Sequence, residues 1–281
     1  MTWIKRIGIA LIIIIILALI GLRVFMYKTQ HGFASYETAP HDITIPADRP
    51  TILLFSKTTA FRHNAAINAS KSSIDSLGES EDWYIYKTED AGIFNADQLS
   101  QFDLVIWNNS TGPVLNEGQR ALFQSYIEDG GGYLGIHGSG DFSHNWDWYK
   151  NEIICADFSH HPIKNHIQNT TVYLTDRADS SWQVPPVWAH SDEWYIFLNN
   201  PEDKGAQLLY MIDGESIDPN GDLFWMKGKD FGMGKVHPVA WHKQVGSGRV
   251  FYTSMGHTAD TFTNKNFMSM LRDGIIWAGQ L

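Results

Sequence analysis

The stretch Gly130-Gly131-Gly132-Tyr133-Leu134-Gly135-Ile136-His137-Gly138-Ser139-Gly140-Asp141 decides the fold. The residues before it, Asn116 to Asp129, read as a helix that Asn116 can cap and Gly130 can end. Tyr133 to Ile136 is then an apolar strand running directly into a tight turn, which presents an imidazole, His137, with the carboxylate of Asp141 close behind. Ligands of open α/β sheets bind outside the carboxyl ends of the strands, and a sharp strand-to-helix turn there is a common way to present a catalytic side chain. The glycines match G-x-G-x-x-G only in letters. A dinucleotide fingerprint follows a strand and opens a helix, whereas these glycines precede a strand. No P-loop is present, so no nucleotide cofactor is expected. Positions 137 and 141 are histidine and aspartate, so Gly138-Ser139-Gly140 is not the G-x-S-x-G of a serine hydrolase.

Working outward, Thr51 to Phe55 is a first buried strand, Asn64 to Leu77 a helix ended by Gly78, Trp83 to Lys87 a second strand and Leu104 to Trp107 a third. Strands and helices alternating at this spacing indicate a parallel sheet built from βαβ units. After about residue 165 the pattern changes to strands alone: Thr170–Leu174, Glu193–Phe197, Gln207–Ile212, Pro238–His242 and Arg249–Thr253. Val245-Gly246-Ser247-Gly248 is a hairpin turn between the last two, and a helix from Asn264 to Ala278 closes the chain.

The N-terminus is a different kind of segment. Ile7 to Leu22 carries no charged side chain and contains Ile12-Ile13-Ile14-Ile15-Ile16. As a helix it spans roughly 24 Å, and with Arg23 to Met26 roughly 30 Å, the thickness of the hydrocarbon core. Trp3 and Tyr27 sit where interfacial aromatics are expected. Lys5 and Arg6 would also suit a signal peptide, but Arg-Val-Phe-Met-Tyr-Lys follows in place of a small-x-small cleavage site. The expectation is a single-pass anchor or uncleaved signal sequence over residues 1–28, a proline-punctuated tether over 29–49 and one domain over 50–281. The short N-terminal tail places that domain on the extracytoplasmic side.

Composition narrows the partners. With 31 acidic against 21 basic residues the formal charge is −10, and the only basic run is Lys5-Arg6, so nucleic acid is not an expected ligand. The lone Cys155 lies within Ile153-Ile154-Cys155-Ala156 and reads as a buried small hydrophobe.

The histidines are the anomaly. There are 12, and several stand in polar settings at predicted strand ends: His63, His137, His160 and His161 before Pro162, His237 before Pro238, and His257 in Gly256-His257-Thr258. No H-E-x-x-H or clustered Cys/His spacing occurs, so any site is assembled from distant loops. Together with Asp141, Asp192 or Glu193, these imidazoles suit a divalent metal or general acid–base work near neutral pH. Asp192-Glu193-Trp194-Tyr195 adds two carboxylates and two aromatics. If it is a strand, only one carboxylate faces the site.

These motifs, in this order, resemble the ThuA-like (trehalose utilisation) family. The resemblance is carried by Ser56-Lys57-Thr58-Thr59-Ala60-Phe61-Arg62-His63, by Gly135-Ile136-His137 through Asp141 with Trp146-Asp147-Trp148-Tyr149, by His161-Pro162, by Ser191 to Tyr195, by His237-Pro238-Val239-Ala240-Trp241 and by Gly256-His257-Thr258. It covers about Pro50 to Leu281. It implies an α/β fold of the flavodoxin-like, class I glutamine amidotransferase-like kind, a three-layer sandwich with a mostly parallel sheet and additional C-terminal strands. Amidotransferases of that superfamily have cysteine in a G-x-C-x-G elbow. Here His137 occupies that place, so amidotransferase chemistry is not carried over. The resemblance also implies a role in carbohydrate utilisation, on a disaccharide or keto-sugar, without assigning a reaction.

Three functions follow as alternatives: a membrane-anchored enzyme on a sugar derivative, a non-catalytic sugar-binding or scaffolding domain, and a metal-dependent hydrolase or lyase. The expected catalytic residues are His137, Asp141 and Glu193. The substrate-binding candidates are His63, Asp192, Trp194 and His257, and the metal candidates are His137, His161 and His237.

Overall fold

The computed structural model describes residues 3–176 and 182–281. A helix, α1 (Trp3–His31), buries none of its residues and is long and apolar enough to cross a bilayer, a property that a signal sequence shares. The following segment lies along the domain. Phe33 N–H donates to the Thr59 carbonyl (3.2 Å), the Gln119 amide donates to the Glu37 carbonyl (2.7 Å), and Glu37 pairs with Lys57.

The domain opens with β1 (Thr51–Phe55), α2 (Asn64–Glu81), β2 (Tyr84–Thr88), α3 (Ala96–Leu99), β3 (Leu104–Asn108), α4 (Glu117–Glu128) and β4 (Gly132–Ile136). It continues through β5 (Phe158–His160), β6 (Gln168–Leu174), β7 (Val187–Asp192), β8 (Ile196–Phe197), β9 (Gln207–Ile212), β10 (His237–Val245), β11 (Gly248–Thr253) and α5 (Lys265–Gly279). The main sheet runs β2-β1-β3-β4-β11-β10-β9-β6-β7, and β5 pairs with β8 separately. From β2 to β11 every pairing is parallel; from β11 to β7 every pairing is antiparallel. The chain is therefore an α/β protein with a mixed central sheet, parallel on one side and extended by antiparallel strands on the other.

β1, β3 and β4 are buried along their whole length, as expected of parallel strands covered on both faces. Their alternate residues fall into two hydrophobic clusters. One gathers Ile52, Leu54, Ile106, Leu134 and Ile136 with Ile74 of α2 and Phe267 and Leu271 of α5. The other gathers Leu53, Phe55, Val105, Trp107 and Tyr133 with Phe123 and Ile127 of α4. Asn116 caps α4 through a capping box with Gln119.

Two local expectations need correction. Gly78 does not end α2, which continues to Glu81 and stops where Asp82 turns left-handed (φ 57°). Gly78 is there because a Cβ would stand 2.6 Å from Ile85 Cγ1, so it sets the closeness of helix and strand. Glu193–Phe197 is not one strand. β7 ends at Asp192, β8 begins only at Ile196, and Val187–Asp192 is a strand the apolar pattern did not disclose.

Candidate functional site

The carboxyl ends of β1, β3, β4 and β11 lie along one edge of the sheet, and the loops that leave them converge. His63 comes at the start of α2, His137 directly after β4, and His257 shortly after β11. β11 and β4 pair in register, with Thr253 beside Ile136, which brings the two histidine-bearing turns side by side. Glu193 reaches the same point from the antiparallel half, just past β7.

His137 occupies a left-handed conformation (φ 43°), uncommon for a residue with a Cβ. Tyr252 Oη donates to its carbonyl (2.8 Å). Its Nδ1 lies 2.6 Å from the Ser254 carbonyl. A carbonyl only accepts, so Nδ1 carries a hydrogen; in the neutral ring the lone pair is then on Nε2, and in the imidazolium Nε2 is a donor toward Glu193. That Nε2 lies 3.1 Å from His257 Nδ1 and 3.4 Å from Glu193 Oε2, and His257 Nδ1 lies 3.1 Å from the same Glu193 oxygen. His63 completes the group. The rings of His63, His137 and His257 stand pairwise nearly perpendicular, with centroids 4.9, 4.9 and 5.0 Å apart. One donor atom from each of His63, His137, Glu193 and His257 lies within 4.8 Å of every other. His63 Nδ1 is buried without a hydrogen-bond partner.

The electrostatics follow from this crowding. Burial alone would raise Glu193, but hydrogen bonds and charge from His137, His257 and His161 outweigh it and hold the carboxyl well below its ordinary range. Burial, then repulsion from His137 and His257, keeps His63 well below an ordinary imidazole. Burial pulls His257 down too, but Glu193 reverses the sign and leaves it raised. The group thus combines an ionised carboxylate with a neutral imidazole at His63.

His161 stands at the mouth, 37% exposed, with Nδ1 3.0 Å from Glu193 Oε1. The remaining sequence candidates lie elsewhere. Asp192 is wholly buried behind the site. Its two oxygens accept from the amides of Gly256 (2.7 Å), His257 (3.0 Å) and Glu193 (2.9 Å), from Thr261 Oγ1 (3.1 Å) and from His190 Nε2 (3.2 Å). It therefore holds the His257 turn in place and has no free lone pair directed at a ligand. Both carboxylates of the pair are buried, because Glu193 lies beyond the strand and the alternation rule does not apply to it. Trp194 is a core residue whose indole donates to the Gln168 carbonyl (2.9 Å). His237 is buried with Nε2 donating to the Tyr195 carbonyl (2.9 Å). Asp141 accepts from the Ser143 amide (2.8 Å) and from the Ser143 hydroxyl. It lines a separate cavity of about 340 Å³ with Trp146, Tyr149 and Phe158, and burial raises its carboxyl to about 7 despite those hydrogen bonds.

Sequence reading passed over two supporting residues, Ser254 and Asn109. Asn109 is left-handed (φ 53°) directly after β3. Its Oδ1 accepts from the Gly138 amide (3.2 Å) and its Nδ2 donates to the Gly256 carbonyl (3.3 Å), so one amide ties both histidine turns together. An Asn pair at a strand end was the available signal. Gly256 (φ 117°) has no room for a side chain, since a Cβ would stand 2.7 Å from Ile136 Cγ2.

Solved structures share this fold. A ThuA-like protein of Bacteroides uniformis superposes with a TM-score of 0.67 at 19% identity, covering 87% of this chain and 94% of its own. A ThuA-like protein of Parabacteroides merdae gives 0.61 at 18% identity, covering 83% and 90%. No relative is found among curated proteins at a significant level. The profile of the ThuA family, described as trehalose utilisation, matches residues 51–278, nearly the whole domain that carries the four converging side chains. The chain belongs to the ThuA family.

Proposed function

We propose that this protein is a membrane-anchored enzyme of carbohydrate utilisation whose centre is a divalent cation held by His63, His137, Glu193 and His257. Membership of the ThuA family supports the carbohydrate role at family level. The observation that carries the metal reading is the spacing of the donors. Ligands at about 2.0–2.1 Å around a tetrahedral Zn²⁺ stand about 3.3 Å from one another. The three pairs among His137 Nε2, His257 Nδ1 and Glu193 Oε2 stand at 3.1, 3.4 and 3.1 Å. A ring nitrogen of His63 is the fourth donor, and three imidazoles with one carboxylate suit Zn²⁺ or a similar borderline ion. A cation there would supply Lewis-acid polarisation of a substrate oxygen.

The rest is done by the chain itself. The Ser254 carbonyl fixes the His137 tautomer, as an outer partner of a metal-ligating histidine does. Asp192 sets the His257 turn. His161, exposed at the mouth with Nδ1 3.0 Å from Glu193 Oε1 and 2.9 Å from the Pro162 carbonyl, is placed to exchange a proton with a bound sugar. The architecture is read as the three-layer sandwich of the amidotransferase-like superfamily, residues 1–28 as the anchor, 29–49 as the strap joining it to the domain, and the domain as extracytoplasmic. The substrate class proposed is a disaccharide or keto-sugar, with hydrolysis or elimination as the reaction.

A second reading has an observation of its own. His257 Nδ1 lies within hydrogen-bond reach of both His137 and Glu193, an arrangement that also serves as a metal-free proton relay. Elemental analysis of the full chain, purified without chelator and then equilibrated with Zn²⁺, Mn²⁺, Ni²⁺ or Fe²⁺, separates the two. The cation reading expects one equivalent of one of these ions, lost in Glu193→Gln and His63→Ala. No bound ion in the unaltered chain would exclude it and leave the relay. Sugar affinity without turnover over a disaccharide and keto-sugar panel would indicate the binding domain instead.

A further inference from the structure

The segment between β9 and β10 carries the two most exposed large apolar side chains among the described residues of the domain. Leu223 and Met226 pair backbone to backbone (3.0 and 2.8 Å), which puts Phe224 and Trp225 at the tip of a tight turn. They are 77% and 79% exposed, and their rings stack with centroids 5.8 Å apart. Phe224 is left-handed (φ 48°), a costly conformation for a bulky residue, and it persists in a turn that buries neither ring. Met226, Phe231 and Val236 are also exposed; Lys227, Lys229 and Lys235 are interspersed among them with Asp222 and Asp230, and Lys227 pairs with Asp222 (3.6 Å). Aromatic side chains beside lysines are the pattern of a segment lying at the membrane interface.

Position identifies the partner. The base of this turn rests on the strip that leads to the candidate site. The Pro219 carbonyl accepts from His160 Nε2 (3.0 Å), Lys229 Nζ donates to the Ser159 carbonyl (2.6 Å), and the Phe231 ring lies 5.0 Å from that of His160. The next residue, His161, touches Glu193. On the other flank of the site, α1 ends against the turn that follows His137, and the residues just after α1 meet the loop that carries His63. The His31 ring lies 5.4 Å from that of Phe142, and Phe33 N–H donates to the Thr59 carbonyl. Phe61, in that loop, is 51% exposed. The apolar helix and the aromatic turn thus leave the domain from the same edge of the sheet, one on each side of the site.

We propose that this edge docks on the lipid bilayer that α1 enters, with Phe224 and Trp225 inserted at the interface as a second attachment, so that the site opens toward the membrane surface. The proposal rests on α1 being a membrane anchor, and the experiment separates the two. The full chain is prepared with a single added cysteine at position 17, 225 or 247 (L17C, W225C or S247C), labelled with an environment-sensitive fluorophore and reconstituted in phosphatidylcholine–phosphatidylglycerol vesicles with and without doxyl-labelled lipid. Cys155 is buried and does not compete for label. Ser247 is exposed in the β10–β11 turn at the opposite edge of the sheet. The expected result is quenching at 17 and 225 and none at 247. Quenching at 17 without quenching at 225 overturns the docking proposal and leaves the anchor standing. No quenching at either position removes the anchor and the docking together. Equal quenching at 225 and 247 overturns the orientation.

Discussion

At the end of β4, His137 directs its Nε2 at His257 and Glu193. At the start of β10, His237 is just as buried but spends its Nε2 on the Tyr195 carbonyl. In sequence the two look alike: each flanks an apolar strand, and each lies in a motif shared with one family. What separates them is the partner of the second ring nitrogen. His137 gives its Nδ1 hydrogen to the Ser254 carbonyl and turns Nε2 toward His257 and Glu193. His237 gives its Nε2 hydrogen to the Tyr195 carbonyl in the same way, but its Nδ1 is buried without a hydrogen-bond partner, and among the described residues no carboxylate pairs with it. A buried histidine becomes a site residue when its hydrogen is tied down on one side and other donors meet it on the other.

Exchanging the two losses breaks this comparison most sharply. His137→Ala is expected to abolish stoichiometric cation binding. His237→Ala is expected to keep the cation while costing about 2–4 kcal/mol, through a cavity and an unpaired Tyr195 carbonyl. Calorimetric titration with Zn²⁺ and urea denaturation on the same preparations measure both quantities. Cation loss in both variants would show that His237 supports the site after all.

Acid titration tests two buried histidines, His237 and His144, the latter in the turn after Asp141. Burial lowers His237 to about 4, and burial followed by the Arg120 charge lowers His144 to about 4, against an ordinary value near 6.5. Between those pH values the unfolded chain binds more protons than the folded one, so stability falls as pH falls. The contribution is whole above about 6.5, and about 3 kcal/mol per histidine is gone once pH reaches about 4. Asp141 runs the other way. Its raised carboxyl is protonated in the folded state before it is in the unfolded one, so it adds stability as pH falls below about 7. Denaturation midpoints from pH 7.5 to 4.5 should therefore decline, and Asp141→Asn should make the decline steeper. A profile unaffected by Asp141→Asn would place that carboxyl in contact with water.

Replacing Asp192 probes how the site is held from behind. Asp192→Asn keeps the volume but removes the charge that accepts from Gly256, His257, Thr261 and His190. An outer partner of a ligand is commonly worth about 10–100-fold in metal affinity, and that loss is expected here with all four ligands present. A full loss of binding would make Asp192 a ligand.

The parallel half of the sheet was legible because its strands are covered on both faces and so read as unbroken apolar runs, as at Thr51–Phe55 and Leu104–Trp107. β7 was hidden for the converse reason. It turns Trp188, His190 and Asp192 inward, so polar residues occupy the buried positions and erase the period. The same buried Asp192 then accepts from the Glu193 amide, where the strand has ended. Of the site, the histidines at strand ends were readable as a set. Which of them meet was not, because His257 joins His137 through the β4–β11 register and Glu193 arrives from the far half of the sheet.

The mildest test concerns the amide between the two histidine turns. Asn109 is left-handed, so Asn109→Gly leaves the backbone in a conformation glycine adopts freely and removes only the side chain. Its two hydrogen bonds, to Gly138 and Gly256, are 3.2 and 3.3 Å long and are each worth about 1 kcal/mol at most. If the cation site is built by holding the His137 and His257 turns in register, part of that energy should appear in binding: a drop in Zn²⁺ affinity of no more than about tenfold, corresponding to about 1.4 kcal/mol. If the sheet alone sets the register, denaturation will record the loss and the binding isotherm will not move. Either outcome says which structure carries the distinction between His137 and His237, the strands beneath the turns or the amide that ties them.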